Sequence, residues 1–114
     1  MSKVICFYDI KATSVSPDAD LISLGIIAVQ DNKVVKSIYS EFTDFNIDKC
    51  DDWVKENVVG KLTGNKGGHI QVSDGSNVDN CDTKIYGDTL FISTHLKQWL
   101  SQFEDVEFWA DERN

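Results

Sequence analysis

Asp9 closes the apolar run Val4-Ile5-Cys6-Phe7-Tyr8, and Lys11 follows it by two residues. Side chains at i and i+2 of a strand leave the same face, so carboxylates at both positions would share a divalent cation such as Mg²⁺. This chain offers Asp9-Ile10-Lys11 instead. An ammonium group donates hydrogen bonds but has no lone pair for a metal, and its charge opposes a cation beside Asp9. The chemistry that the spacing suggests is interrupted at Lys11.

The remaining polar clusters read as structure rather than chemistry. Gly64-Asn65-Lys66-Gly67-Gly68 lacks the spacing and the Lys-Ser/Thr ending of a phosphate-binding loop, and reads as a flexible connection. Asp74-Gly75-Ser76-Asn77-Val78-Asp79 puts Val78 at a ligand position and has no closing Glu, so a solvated turn is favoured over a calcium loop. His69 and His95 stand far from any cysteine at ligand spacing. Trp53 and Trp99 lie on helical apolar stripes and read as core anchors rather than platforms for bases.

Composition bounds what these residues serve. A chain of 114 residues with a 41% hydrophobic share fits one folded domain. Its net charge is −8, and Arg113 is the one arginine among eleven basic residues, which weighs against tight binding of a phosphate backbone. Nucleic acid is therefore a weak partner. Three cysteines, Cys6, Cys50 and Cys81, and no leader before the first strand fit a reduced, cytoplasmic protein, and no apolar run is long enough to span a membrane.

Hydrophobic periodicity lays out the elements that must position Asp9. Lys3 to Asp9 reads as a central strand apolar on both faces, and Leu21 to Val29 as a second strand with Leu24, Ile26 and Ala28 on one side. Asp31-Asn32 tolerates the positive φ of a tight hairpin, from which Val34 to Phe42 returns. Asp48 or Asp51 caps a helix running to about Leu62, with Trp53, Val54, Val58 and Leu62 on one side. Thr63 to Gly87 is either an irregular loop insertion or a short irregular hairpin around Ile70 to Val72 and Lys84 to Tyr86. Asp88 or Thr89 starts a second helix with Ile92, Leu96, Trp99, Leu100 and Phe103 on its apolar stripe. Val106 to Trp109 is a last short strand, expected to lie parallel to the first.

This β-β-β-α-β order resembles the first half of a ribonuclease H-like α/β fold: antiparallel strands 1-2-3 and a fourth strand parallel to strand 1. More narrowly, Phe7-Tyr8-Asp9-Ile10, Leu21 to Val29, Tyr39-Ser40-Glu41-Phe42, Asp52 to Val58 and Glu107-Phe108-Trp109-Ala110 resemble the DEDD superfamily of 3′-5′ exonucleases, in its small bacterial and phage exoribonuclease group. The resemblance implies a two-metal nuclease using Mg²⁺ or Mn²⁺, with Asp9 as the first ligand. It also implies a partner carboxylate where Lys11 stands, and later motifs beyond Trp109, for which Asp111 is a substitute at the wrong spacing.

On this reading residues 1–114 form a single truncated, degenerate domain in which Asp9 is vestigial. The expected function is a non-catalytic exonuclease-like protein that binds a protein or nucleic acid. The alternatives are an active metal-dependent exonuclease completing its site by oligomerisation or with Asp111, and an acidic phage-type inhibitor that mimics nucleic acid. A sheet left open on one face further predicts a homodimer or a protein partner covering it.

Overall fold

Asp31 and Asn32 both adopt positive φ, 55° and 65°, in the computed structural model, which describes residues 3–62, 69–72 and 82–110. That backbone makes the two-residue turn whose twist matches paired strands, and Asp and Asn tolerate it best after glycine. The turn joins strands β2 (Leu21–Gln30) and β3 (Lys33–Phe42), with Ile26 opposite Ile38. Strand β1 (Val4–Ala12) pairs antiparallel with β2, placing Asp9 opposite Gly25 and Lys11 opposite Ser23.

The second helix, α2 (Thr89–Leu100), forms where the periodicity places it. Asp88 caps it by accepting the Phe91 backbone N–H at 2.8 Å, and Asp44 accepts the Thr89 N–H at 3.1 Å, so two of the orphan donors at its start are satisfied. Ile92 and Trp99 are buried with Val4, Cys6, Ile26, Ala28, Ile38, Phe42 and Ile85 of the sheet, and Leu96, Leu100 and Phe103 pack around them. Trp99 meets Phe103 edge to face at 5.4 Å between centroids. After the helix the chain enters β6 (Val106–Ala110), which lies parallel to β1 with Val4 opposite Val106.

Three expectations need correction. The sheet has six strands rather than four: β4 (His69–Val72) and β5 (Thr83–Gly87) form the hairpin alternative of the Thr63 to Gly87 segment, and β5 runs parallel to β3. The order is β4-β5-β3-β2-β1-β6. A side-chain clasp fixes the added pair, the Ser37 N–H donating to the Asp82 carboxylate at 2.8 Å while the Asp82 N–H donates to the Ser37 hydroxyl at 3.3 Å.

The first helix is also shorter than its pattern suggests. Helix α1 covers Asp52–Asn57 only, capped by Asp51, and gives way to a 3₁₀ turn at Val59–Lys61. The Asn57 amide donates to the Trp53 carbonyl at 3.0 Å, and Gly60 follows two β-branched residues, all of which favour leaving the helix. Trp53 is 66% exposed, so it is no core anchor.

Strand β1, finally, is not buried on both faces. Val4 and Cys6 are enclosed beneath α2, but Phe7 on the opposite face is 40% exposed. Of the two α-helices, α2 supplies the packing seen against the strands, and it lies on one face. Among the described residues no helix is long and apolar enough to cross a membrane. The segments Gly64–Gly68 and Asp74–Asp79, together with Cys81 and Asp111, lie outside the described residues, while Cys6 and Cys50 are buried free thiols.

Candidate functional site

Alternation along the strands assigns the face opposite α2. On β1 it carries Ile5, Phe7, Asp9 and Lys11; on β2, Ser23, Gly25 and Ile27; on β3, Tyr39 and Glu41. Tyr86 of β5 and Trp109 of β6 belong to the same face by register with Glu41 and Phe7. The face divides into two zones. Trp109, Phe7 and Ile27 form an apolar ladder across three adjacent strands, and beside it lie a polar rung, Asp9-Gly25-Tyr39, and a second, Lys11-Ser23-Glu41-Tyr86.

The two candidate residues on β1 meet each other. Lys11 Nζ stands 3.5 Å from Asp9 Oδ2, both side chains being partly exposed. The ammonium therefore occupies the side of Asp9 from which a shared cation would be held, and its charge disfavours one there. Asp111 is outside the described residues, so its relation to Asp9 is not part of this geometry.

A carboxylate that sequence reasoning passed over lies deeper. Glu41 is only 4% exposed and accepts the Tyr39 hydroxyl at 2.7 Å. Burial first, then the hydrogen bond and charge of Glu41, push the Tyr39 phenol well above its ordinary pKa, with Ser23 opposing by its own hydrogen bond. Tyr39 is thus a fixed donor. The signal was available: a Glu two residues from a Tyr, in a strand bordered by apolar residues, must share the tyrosine's face.

Glu41 does not complete a metal site with Asp9. One strand, β2, lies between them, so two strand spacings set their backbones about 10 Å apart across the sheet. Among the described residues no group of three or more His, Cys, Asp or Glu is positioned to hold a metal ion. Among the described residues, Asp9 beside Lys11 offers one carboxylate where the exonuclease resemblance implies a pair for Mg²⁺ or Mn²⁺.

Within the first polar rung, next to the apolar ladder, lies a hollow. A Cβ built on Gly25 would meet no atom within 4 Å, so the sheet carries open space there, bordered in register by Asp9 and Tyr39. The arrangement suits recognition: an exposed apolar strip and a vacant position beside a rigid, part-buried hydrogen-bonded pair.

Elsewhere the polar contacts are structural. Lys49 Nζ bonds the Asp18 carbonyl and the Asp20 carboxylate, each at 3.0 Å, tying the loop after β1 to the segment after β3. The Asn46 N–H and Lys49 hold Asp20 below the usual carboxylate range, and Ser16 does so first for Asp18. Burial raises the Cys6 and Cys50 thiols, which makes them poor nucleophiles. No protein-family model matches the sequence, and no curated protein matches it at a significant level.

Proposed function

We propose that this chain is a degenerate relative of the DEDD 3′-5′ exonucleases that does not cut nucleic acid and acts by binding, with a protein as the favoured partner. The observation that carries this reading is the Asp9–Lys11 ion pair, which sets a cation of the chain where the family would place its metals. The exposed end of this sheet face, with Phe7, Ile27 and Trp109 each 40–54% exposed, supports a binding role, whether the occupant is a second copy or another protein.

The decisive assay is incubation with single-stranded RNA and DNA in Mg²⁺ or Mn²⁺. No release of nucleotides is expected. Metal-dependent release that disappears in Asp9→Ala would establish instead an active nuclease completing its site from another subunit or with Asp111.

The net charge of −8 favours a second reading, an acidic inhibitor of the kind that occupies nucleic-acid sites on basic proteins. Binding at the nucleic-acid sites of such proteins, displaced by added oligonucleotide and without nuclease activity, would select it. Protein binding that oligonucleotide does not displace would select the first.

A further inference from the structure

Strand β6 is the last strand on its side of the sheet. The Val4 N–H donates to the Asp105 carbonyl at 2.8 Å, so strand alternation turns the peptide groups of Glu107 and Trp109 toward β1 as well. Those of Val106, Phe108 and Ala110 point outward. Among the described residues no strand pairs with that outer side.

Edge strands in folded proteins are ordinarily blunted by lysine, proline or a bulge. Residues 106–110 contain no lysine and no proline, and their pairing with β1 runs without a break in register. Instead Phe108 and Trp109 stand half exposed on opposite faces of the same edge. A regular edge with two exposed aromatic side chains and a single acidic one, Glu107, is a template for a strand of opposite charge.

Charge selects the occupant. Glu104, Asp105 and Glu107 line the approach to the strand, and the chain as a whole carries −8. Lys3 reaches Glu107 at 3.7 Å, but both side chains are about half exposed, where such a pair is weak and readily exchanged. A second copy would bring the same acidic run and the same net charge to the edge, and nucleic acid would bring phosphates. A strand carrying lysine or arginine meets both demands.

We propose that the outer edge of β6 accepts an extended segment of a basic protein partner. The segment adds a further strand to the sheet, with cationic side chains beside Glu107 and Asp105 and apolar ones against Phe108 and Trp109. This deepens the binding function proposed above and rests on it.

The test uses the whole chain and a labelled peptide alternating valine and lysine, with the matching valine-glutamate peptide and a single-stranded oligonucleotide as competitors. The lysine peptide should bind by fluorescence anisotropy, weaken as salt rises, and slow amide exchange at Val106, Phe108 and Ala110. Phe108→Pro removes an outward N–H and no bond to β1, so it should fold and lose at least about tenfold in affinity. Glu107→Lys should shift preference toward the glutamate peptide, and this arm stands even where the proline variant misfolds. Undiminished binding by a folded Phe108→Pro, exchange protection elsewhere, tighter binding of the oligonucleotide, self-association at the expense of peptide binding, or no binding at all would each overturn the proposal. Nuclease activity in the earlier assay would sink the non-catalytic reading, whereas peptide failure without nuclease activity would sink this inference alone.

Discussion

Tyr39 donates its hydroxyl to Glu41 at 2.7 Å, two residues along the same strand, and the carboxylate that accepts it is almost wholly enclosed. A buried charge with a charge-assisted donor is costly to disturb. Tyr39→Phe should therefore destabilise the protein by about 1–3 kcal/mol in urea unfolding. Because the phenol's pKa is raised in the folded state, its contribution is complete below the unfolded value of about 10 and is lost as pH climbs beyond it. The deficit of Tyr39→Phe should accordingly shrink in strongly alkaline solution; a deficit that grows there would show the sign to be wrong.

Lys11 and Asp9 make a contrasting pair, 3.5 Å apart and partly exposed. Lys11→Ala should change stability by less than about 1 kcal/mol. Lys11→Glu sets two carboxylates on one face, and its melting temperature should rise on adding Mn²⁺ where the parent protein's does not. Equal metal response in both proteins would mean that Lys11 does not guard the site.

The tryptophans separate core from surface. Trp99→Ala, beneath the sheet against Phe103, should cost about 3–5 kcal/mol, enough to unfold many domains of this size. Trp53→Ala should cost less than about 1 kcal/mol because that ring stands mostly in water. Thermal melts of the two variants decide the matter, and similar losses would contradict the packing described here.

Two glycines respond oppositely to the same substitution. Gly25→Ala adds a methyl where nothing lies within 4 Å and should be neutral or stabilising by up to about 1 kcal/mol. At Gly87 the added Cβ would sit 2.6 Å from the Phe91 ring, so Gly87→Ala should cost about 1–3 kcal/mol as the ring is displaced. Chemical denaturation of both variants reads the difference in sign.

The sequence disclosed those parts of the fold whose cause is local. Asp31-Asn32 carries its own turn, Asp88 its own cap, and the stripe from Ile92 to Phe103 its own buried face. The parallel placement of β6 on β1 also followed from the strand-helix-strand order. What stayed hidden depends on distant partners. Nothing within Thr83–Gly87 announces that β3 lies beside it, because a parallel pairing leaves no turn in the sequence and the surrounding Gly, Asn, Asp and Ser resemble a loop. The stripe from Trp53 to Leu62 misled for the opposite reason: its spacing is helical, but α1 ends at Asn57 and its tryptophan faces solvent. At the site, Lys11 was legible from its position beside Asp9, whereas the burial of Glu41 emerges only once β3 is flanked by β2 and β5.

The sheet order bears on how the molecule comes into being. Strands β1, β2 and β3 are neighbours in both chain and space, so a growing polypeptide can assemble them early through short, inexpensive loop closures. Strand β6, in contrast, docks on β1 across nearly the whole length of the chain. During synthesis the N-terminal strand must wait with one flank unpaired and Cys6, Tyr8 and Val4 without their helix. That interval, rather than the finished protein, is when the chain is most open to aggregation and most dependent on whatever shields nascent strands.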